Sequence, residues 1–184
     1  YYFPLMLRMT GVEVFKGPSA VLYGPQTIGG AVNYVTRPIP ELSAGEITIG
    51  AGTDLYGRLH LHHGMRNDWG GFLAELVHLR SDGFKELDAP GHTGFSRWEA
   101  MLKAQANTLP GGLVDHTFEL KLGFSAERSN ETYLGLSDAD FARDPDRRYA
   151  ASQTDRTEGA RRQPQPGHPA ASSPGSPTTT AYRH

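Results

Sequence analysis

Between about residues 44 and 125, hydrophobic and polar side chains alternate with a period of two, which predicts β-strands whose two faces differ in character. Ile47, Ile49 and Ala51 oppose Glu46, Thr48 and Gly50, and then Leu59, Leu61 and Met65 oppose Arg58, His60, His62 and Arg66. A turn is expected at Asn67-Asp68-Trp69-Gly70. The next run, 72–80, is less regular, because Leu73, Val77 and Leu79 share a face with Glu75. Alternation is cleanest in the last two runs. Trp98, Ala100, Leu102, Ala104 and Ala106 oppose Glu99, Lys103, Gln105 and Asn107, and after Pro110-Gly111-Gly112 Phe118, Leu120, Leu122 and Phe124 oppose Glu119, Lys121, Gly123 and Ser125.

The flanks differ. Residues 12–36 hold short apolar bits punctuated by Gly17, Gly24, Gly29 and Gly30, predicting two short strands around a turn-rich connection. Tight turns near Asn67 and Pro110 alternate with long polar connections at 81–96 and 126–156. The second of these is expected to carry a short helix at Asp138-Ala139-Asp140-Phe141, capped by Ser137 and ended by Pro145. Beyond Arg156, Pro164, Pro166, Pro169, Pro174 and Pro177 predict an irregular or disordered segment.

Strands of about ten residues, one greasy and one wet face, and loops alternating short and long form the pattern of a transmembrane barrel. A soluble antiparallel sandwich with one solvated face produces the same alternation. On alternation alone the two are equally supported.

Composition narrows the choice only at its edges. The 184 residues are 38% hydrophobic and contain no apolar run near the ~20 residues of a spanning helix. With 18 basic and 20 acidic side chains spread along the chain, there is no cationic face for nucleic acid. No cysteine is present, so neither a disulfide frame nor a thiolate metal site is available.

The run Val12-Glu13-Val14-Phe15-Lys16-Gly17-Pro18-Ser19-Ala20-Val21-Leu22-Tyr23-Gly24, continued by Gly29-Gly30-Ala31-Val32-Asn33-Tyr34-Val35-Thr36, resembles the signature that closes the plug domain of TonB-dependent outer-membrane receptors. The stretches 23–30, 131–141 and 147–152 are similar to the ferric citrate receptor branch of that family. The resemblance covers 1–156, lapses, and resumes at 178–184. It implies a mainly β fold: the C-terminal part of a plug domain at 1–40, then the first antiparallel strands and loops of an incomplete transmembrane β-barrel at 41–156. A proline-rich irregular segment would follow at 157–177 and the start of a further barrel strand at 178–184. Two compensating shifts of reading frame would account for the lapse.

Family membership would further imply a plug within a barrel of about twenty-two strands, import of a ferric chelate of the ferric citrate kind, and energy from the TonB complex. The location would be the outer membrane of a Gram-negative bacterium, with no enzyme activity and no cofactor. No export signal or energy-coupling box is evident here, and five or six strands cannot close. Such a piece is not expected to insert or transport alone, since an open edge in lipid leaves backbone groups unsatisfied. The competing expectation is a soluble β-sandwich binding module with long recognition loops.

Candidate residues follow from the same resemblance. Gly17, Pro18, Tyr23, Gly24, Gly29, Gly30 and Asn33 would be structural positions of the plug, and Gln26 would sit at its apex, placed to donate to the carboxylates of a ferric chelate. Arg143, Arg147 and Arg148 suit an anionic chelate, because guanidinium groups pair bidentately with carboxylates. A loop of this composition more often bridges internally, here to Asp140, Asp144 and Asp146. Of His60, His62 and His63, positions 60 and 62 share a strand face, but no third ligand of known proximity accompanies them, and polar histidines lining a wet interior are the simpler reading. The aspartates at 138, 140, 144 and 146 fail as a calcium loop, since Arg143 stands where glycine is required and Tyr149 where a bidentate glutamate is required. For Lys16 no base or orienting group of catalytic type is identifiable from the sequence, its place in the motif would be structural, and no hydrolytic triad spacing is present.

Overall fold

The computed structural model describes residues 5–17, 29–108 and 117–167. A single turn of 3-10 helix, Met6–Arg8, leads into β1 (Met9–Phe15), which pairs antiparallel with β2 (Ala31–Thr36). The long alternating runs then form β3 (Ala44–Ala51), β4 (Gly57–Asn67), β5 (Gly70–Ser81), β7 (Phe95–Asn107) and β8 (Thr117–Ser129), with β6 (Glu86–Leu87) in the connection between β5 and β7. Helix α1 (Asp138–Arg143), β9 (Arg147–Arg148) and β10 (Thr157–Gly167) follow. The protein is mainly β, with antiparallel sheets.

Six strands make one sheet in the order β10-β8-β7-β5-β4-β3. Apart from the excursions that carry β6, α1 and β9, each strand pairs with its sequence neighbour. The β4–β5 turn shows why the register holds. Asn67 Oδ1 accepts from the backbone N–H of Trp69 at 3.0 Å and of Gly70 at 3.1 Å, an Asx turn closing the Asn67↔Gly70 pair. Gly70 has φ +155°, and a Cβ there would lie 2.1 Å from the Gln105 carbonyl oxygen.

Because side chains alternate, this register sorts the sheet into two faces. One carries His60, Leu73, Glu75, Val77, Glu99, Met101 and Lys103 in neighbouring rows. Its centre is sealed: Leu73 and Val77 are 0% exposed, and Glu75, Glu99 and His60 are also buried. The opposite face carries Ile47, Ile49, Phe72, Trp98, Leu102, Phe118, Leu120, Leu122 and Phe124, all exposed. The sheet is thus inverted relative to a water-soluble protein, with carboxylates covered and hydrocarbon bare. On β8 the apolar positions run from Phe118 to Ala126, eight residue steps or about 26 Å of strand.

The irregular tail is corrected by the structure over residues 157–167. Thr157–Gly167 is strand β10, paired residue for residue with β8 from Thr157↔Ser129 to Gly167↔Glu119. β8 offers a free ladder, and a strand at the sheet edge needs only one of its sides bonded. Pro164 and Pro166 are two apart, so both nitrogens point to the same side, the arrangement an edge strand tolerates. The remainder of that segment and 178–184 lie outside the described residues.

Unlike its neighbours, β10 does not alternate cleanly. Arg162 stands opposite Phe124 in the apolar rows. An arginine there breaks the run of apolar side chains that the neighbouring strands carry in the same row. This misfit coincides with the lapse in family resemblance. Resequencing the gene across codons 157–177 is expected to yield a cleanly alternating strand in place of the prolines, and an unchanged reading would eliminate the frame-shift explanation.

Candidate functional site

Arg8 leaves the turn before β1 and reaches the charged face of the large sheet, where it is 8% exposed. Its Nε lies 3.1 Å from Glu75 Oε2 and one terminal nitrogen 2.7 Å from Glu99 Oε2. One guanidinium therefore spans two strands, β5 and β7. The second oxygen of Glu75 is 2.9 Å from His60 Nε2, so that nitrogen bears the proton if the carboxylate is ionised. Arg97 donates to the other oxygen of Glu99 and reaches Glu127 Oε2 at 3.2 Å. Buried carboxylates are costly unless paired and hydrogen-bonded, and here every carboxylate oxygen of Glu75 and Glu99 has a partner.

A second contact joins the same two units. Lys103 Nζ donates to the carbonyl of Arg37 at 2.6 Å, where the chain leaves β2. The following segment lies so close to the sheet that a Cβ on Gly64 would meet Pro40 Cδ at 2.8 Å, and one on Gly71 would meet Ile39 at 2.9 Å. Small residues at these two positions admit the linker onto the charged face. The β1–β2 hairpin is thus tied to the sheet at both ends, by Arg8 before it and by Arg37 after it.

Gly17 and Gly30 have φ of +67° and +136°, and a Cβ on Gly30 would lie 2.6 Å from the Phe15 carbonyl oxygen. Their backbone conformations favour glycine. Gly29 has open space around it. Asn33 Nδ2 donates to Glu13 Oε2 at 2.8 Å across the hairpin. Pro18, Tyr23, Gly24 and Gln26 lie outside the described residues.

The three loop arginines have separate places. Arg148 is buried and donates to Ser152 Oγ at 2.9 Å, to the Ser152 carbonyl at 2.7 Å and to the Asn130 carbonyl. Its guanidinium holds the loop together from within. Arg147 pairs with Asp88 at 2.9 Å and Asp140 at 3.0 Å, and the Asp88 hydrogen bond pushes its already high pKa further up. Arg143 is largely exposed, 3.9 Å from Asp140. Backbone pairing of β6 with β9 fastens the two long connections to one another.

Asp140 is the hub of that assembly. Ser137 caps α1, its hydroxyl accepting from the Asp140 N–H at 3.2 Å and donating to the Asp140 carboxylate at 2.9 Å, while its own backbone N–H donates to the Tyr149 hydroxyl at 3.1 Å. Tyr149 donates its hydroxyl to the same carboxylate oxygen at 2.6 Å. The Tyr149 bond, then the Ser137 bond, hold the Asp140 carboxyl below its ordinary value of 3.8. Among the described residues, no group of three His, Asp or Glu side chains is placed to hold a metal ion. His60 is committed to Glu75, and the register puts His63 on the opposite face from His60 and His62.

No family model matches the chain, and no solved structure matches it.

Two outcomes follow. Arg8→Ala should destabilise by about 3 kcal/mol, at the low end for a broken buried pair because His60 and Arg97 still serve the carboxylates. Denaturant unfolding measures this, with Arg8→Lys expected to recover only part, since an ammonium lacks the fork that spans two carboxylates. A carboxyl whose pKa is lowered on folding contributes stability that is present above 3.8 and lost as pH falls through the lowered folded value. The 130–156 loop should therefore resist proteolysis at neutral and mildly acidic pH and lose protection below that value, and Asp140→Asn should show a smaller change over this range, since the Asp88 pairing of Arg147 remains.

Proposed function

We propose that the chain is part of a TonB-dependent outer-membrane transporter that imports a ferric chelate of the ferric citrate kind. The observation carrying this is the inverted sheet: paired charges sealed on the side that receives the β1–β2 unit, and a bare apolar band about 26 Å long on the other. In a membrane the second face meets hydrocarbon, and the first lines a wet interior occupied by the plug. Edge strands β3 and β10 would then continue into the strands that close the barrel.

On this reading, cargo approaches from the side of the long loops. Arg143 is the most exposed of the loop arginines and is the one placed to meet an anionic chelate there, with Gln26 as its proposed partner on the plug. Arg147 and Arg148 act indirectly by fixing the loop. TonB-driven movement of the plug has to loosen or carry along the contacts of Arg8 with Glu75 and Glu99, which sets a threshold on unforced opening.

A soluble sandwich module would bury its apolar face under a second sheet. Among the described residues the other sheets are two-stranded, and the face bearing Leu102, Leu120, Leu122 and Phe124 stays exposed. The intact gene product is expected in the outer-membrane fraction, with heat-modifiable migration, and its deletion should abolish growth on ferric citrate as sole iron source in a strain without a second receptor. Recovery in the aqueous phase without detergent would refute the transporter assignment, whereas equal growth of a correctly localised protein and its deletion would refute only the citrate assignment.

A further inference from the structure

The β1–β2 hairpin is fastened to the sheet at two places, and the two fastenings share a neighbourhood. Ladder partners put Glu75 opposite Met101 and Leu73 opposite Lys103, so Lys103 lies two residues along β7 from the partner of Glu75, on the same face. Such a diagonal is about 7–8 Å, within the reach of a lysine side chain. Arg8 occupies Oε2 of Glu75 and His60 occupies Oε1. With both oxygens taken, the Lys103 ammonium turns instead to the Arg37 carbonyl at 2.6 Å and, at 3.4 Å, to that of Thr36.

The charges around Lys103 make this arrangement conditional. Lys121 stands directly across the ladder from it, and like charges so placed repel. Arg8 adds a third cation acting on both lysines, while Glu75 is among the carboxylates acting on Lys103. Removing Arg8 vacates one oxygen on each of Glu75 and Glu99. Glu99 keeps Arg97, whereas the partner left to Glu75 is His60. A buried carboxylate without a cation is costly, and a carboxylate is a stronger acceptor for an ammonium than a carbonyl oxygen is. Lys103 is the cation placed to answer, since Lys121 sits one strand farther off.

We propose that Lys103 couples the two fastenings: when Arg8 leaves Glu75, the Lys103 ammonium swings from the Arg37 carbonyl to the vacated carboxylate oxygen, and the linker after β2 is freed in the same event. The swing carries Lys103 toward β5 and so eases its repulsion from Lys121. Read backwards, the exchange seats the hairpin, because Arg8 arriving at Glu75 returns Lys103 to the Arg37 carbonyl. Two contacts that would otherwise break one after the other therefore break together, leaving the hairpin a docked and a released state with little between. This coupling goes beyond the transport reading, since it rests on the placement of charge on the covered face and holds whatever meets the opposite one.

The test is made on the intact gene product, with any cysteine outside these 184 residues replaced by serine. The reporter is Ile39→Cys, in the linker that packs over Gly71, and its rate of reaction with a water-soluble thiol reagent measures linker release. On that background R8A is expected to raise the rate about fivefold or more, and K103M, which removes the linker's donor, to raise it similarly. Adding R8A to K103M should give little further increase. R8A/E75Q is the deciding variant: glutamine still accepts from His60 but carries no charge to draw the ammonium away, so the rate should fall back near that of the parent. A cooperative denaturant transition verifies that each variant is folded. An unchanged rate in R8A would overturn the coupling, as would additive effects of R8A and K103M, which mark independent fastenings. A rate in R8A/E75Q as high as in R8A would overturn it too, because the loss of Arg8 would then loosen the linker without any transfer of Lys103. None of these outcomes touches the transporter assignment, which is decided by recovery in the outer-membrane fraction.

Discussion

A sheet that covers its carboxylates on one face and bares leucine and phenylalanine on the other needs an apolar surrounding for the second face, which on the proposed reading is hydrocarbon. The requirement follows from magnitudes: burying a large apolar side chain is worth about 1.5–3 kcal/mol, and the apolar rows carry many such side chains on adjacent strands. In water they would drive association. Against hydrocarbon they are at rest, and the charged face becomes the one that needs partners. Arg8, bridging Glu75 and Glu99 from outside the sheet, is the partner at its centre.

That inversion organises the other features. The hairpin of β1 and β2 is a small unit with little apolar core of its own, since Val12, Val14 and Val32 are exposed. It is positioned by polar contacts at either end, Arg8 before it and the Arg37 carbonyl after it. On the proposed reading polar anchoring suits a plug that shifts, because paired charges released into a wet interior can be solvated whereas a broken apolar core has no replacement. The long loops are built on a different principle. They are cross-braced by backbone pairing of β6 with β9, by buried Arg148 and by the Asp140 hub, giving a fixed surface at the proposed entrance.

Most of the sheet was legible in the chain because period-two alternation reports directly on a two-faced strand. Ser137 and the acidic turn after it likewise announced α1. The buried charge cluster was not legible as a site. Glu75 registered only as an irregularity in an otherwise apolar run and Glu99 as one more polar position, while Arg8 lies in a segment without periodicity. A glutamate sharing a face with Leu73 and Val77 was the available signal, but its partner is 67 residues away and only the fold brings them together. β10 escaped for the converse reason. Local proline content argued against a strand, and the tertiary context, an open ladder on β8, overrode it. The loop arginines show the limit of composition: the chain displays three similar cations, whereas the fold buries one, pairs one and exposes one.

The central claim is that the two faces of the sheet meet different solvents. Site-directed labelling of β8 in the intact gene product tests it most directly, and the absence of cysteine from these 184 residues leaves them free of competing thiols. Cysteines introduced singly from 119 to 125 and tagged with nitroxide would be probed for collision with oxygen, which concentrates in lipid, and with a water-soluble nickel chelate. The account predicts that 120, 122 and 124 respond to oxygen and that 119, 121, 123 and 125 respond less, a period of two across the strand. Equal responses at all seven positions, or preferential access of the chelate to 120, 122 and 124, would contradict it.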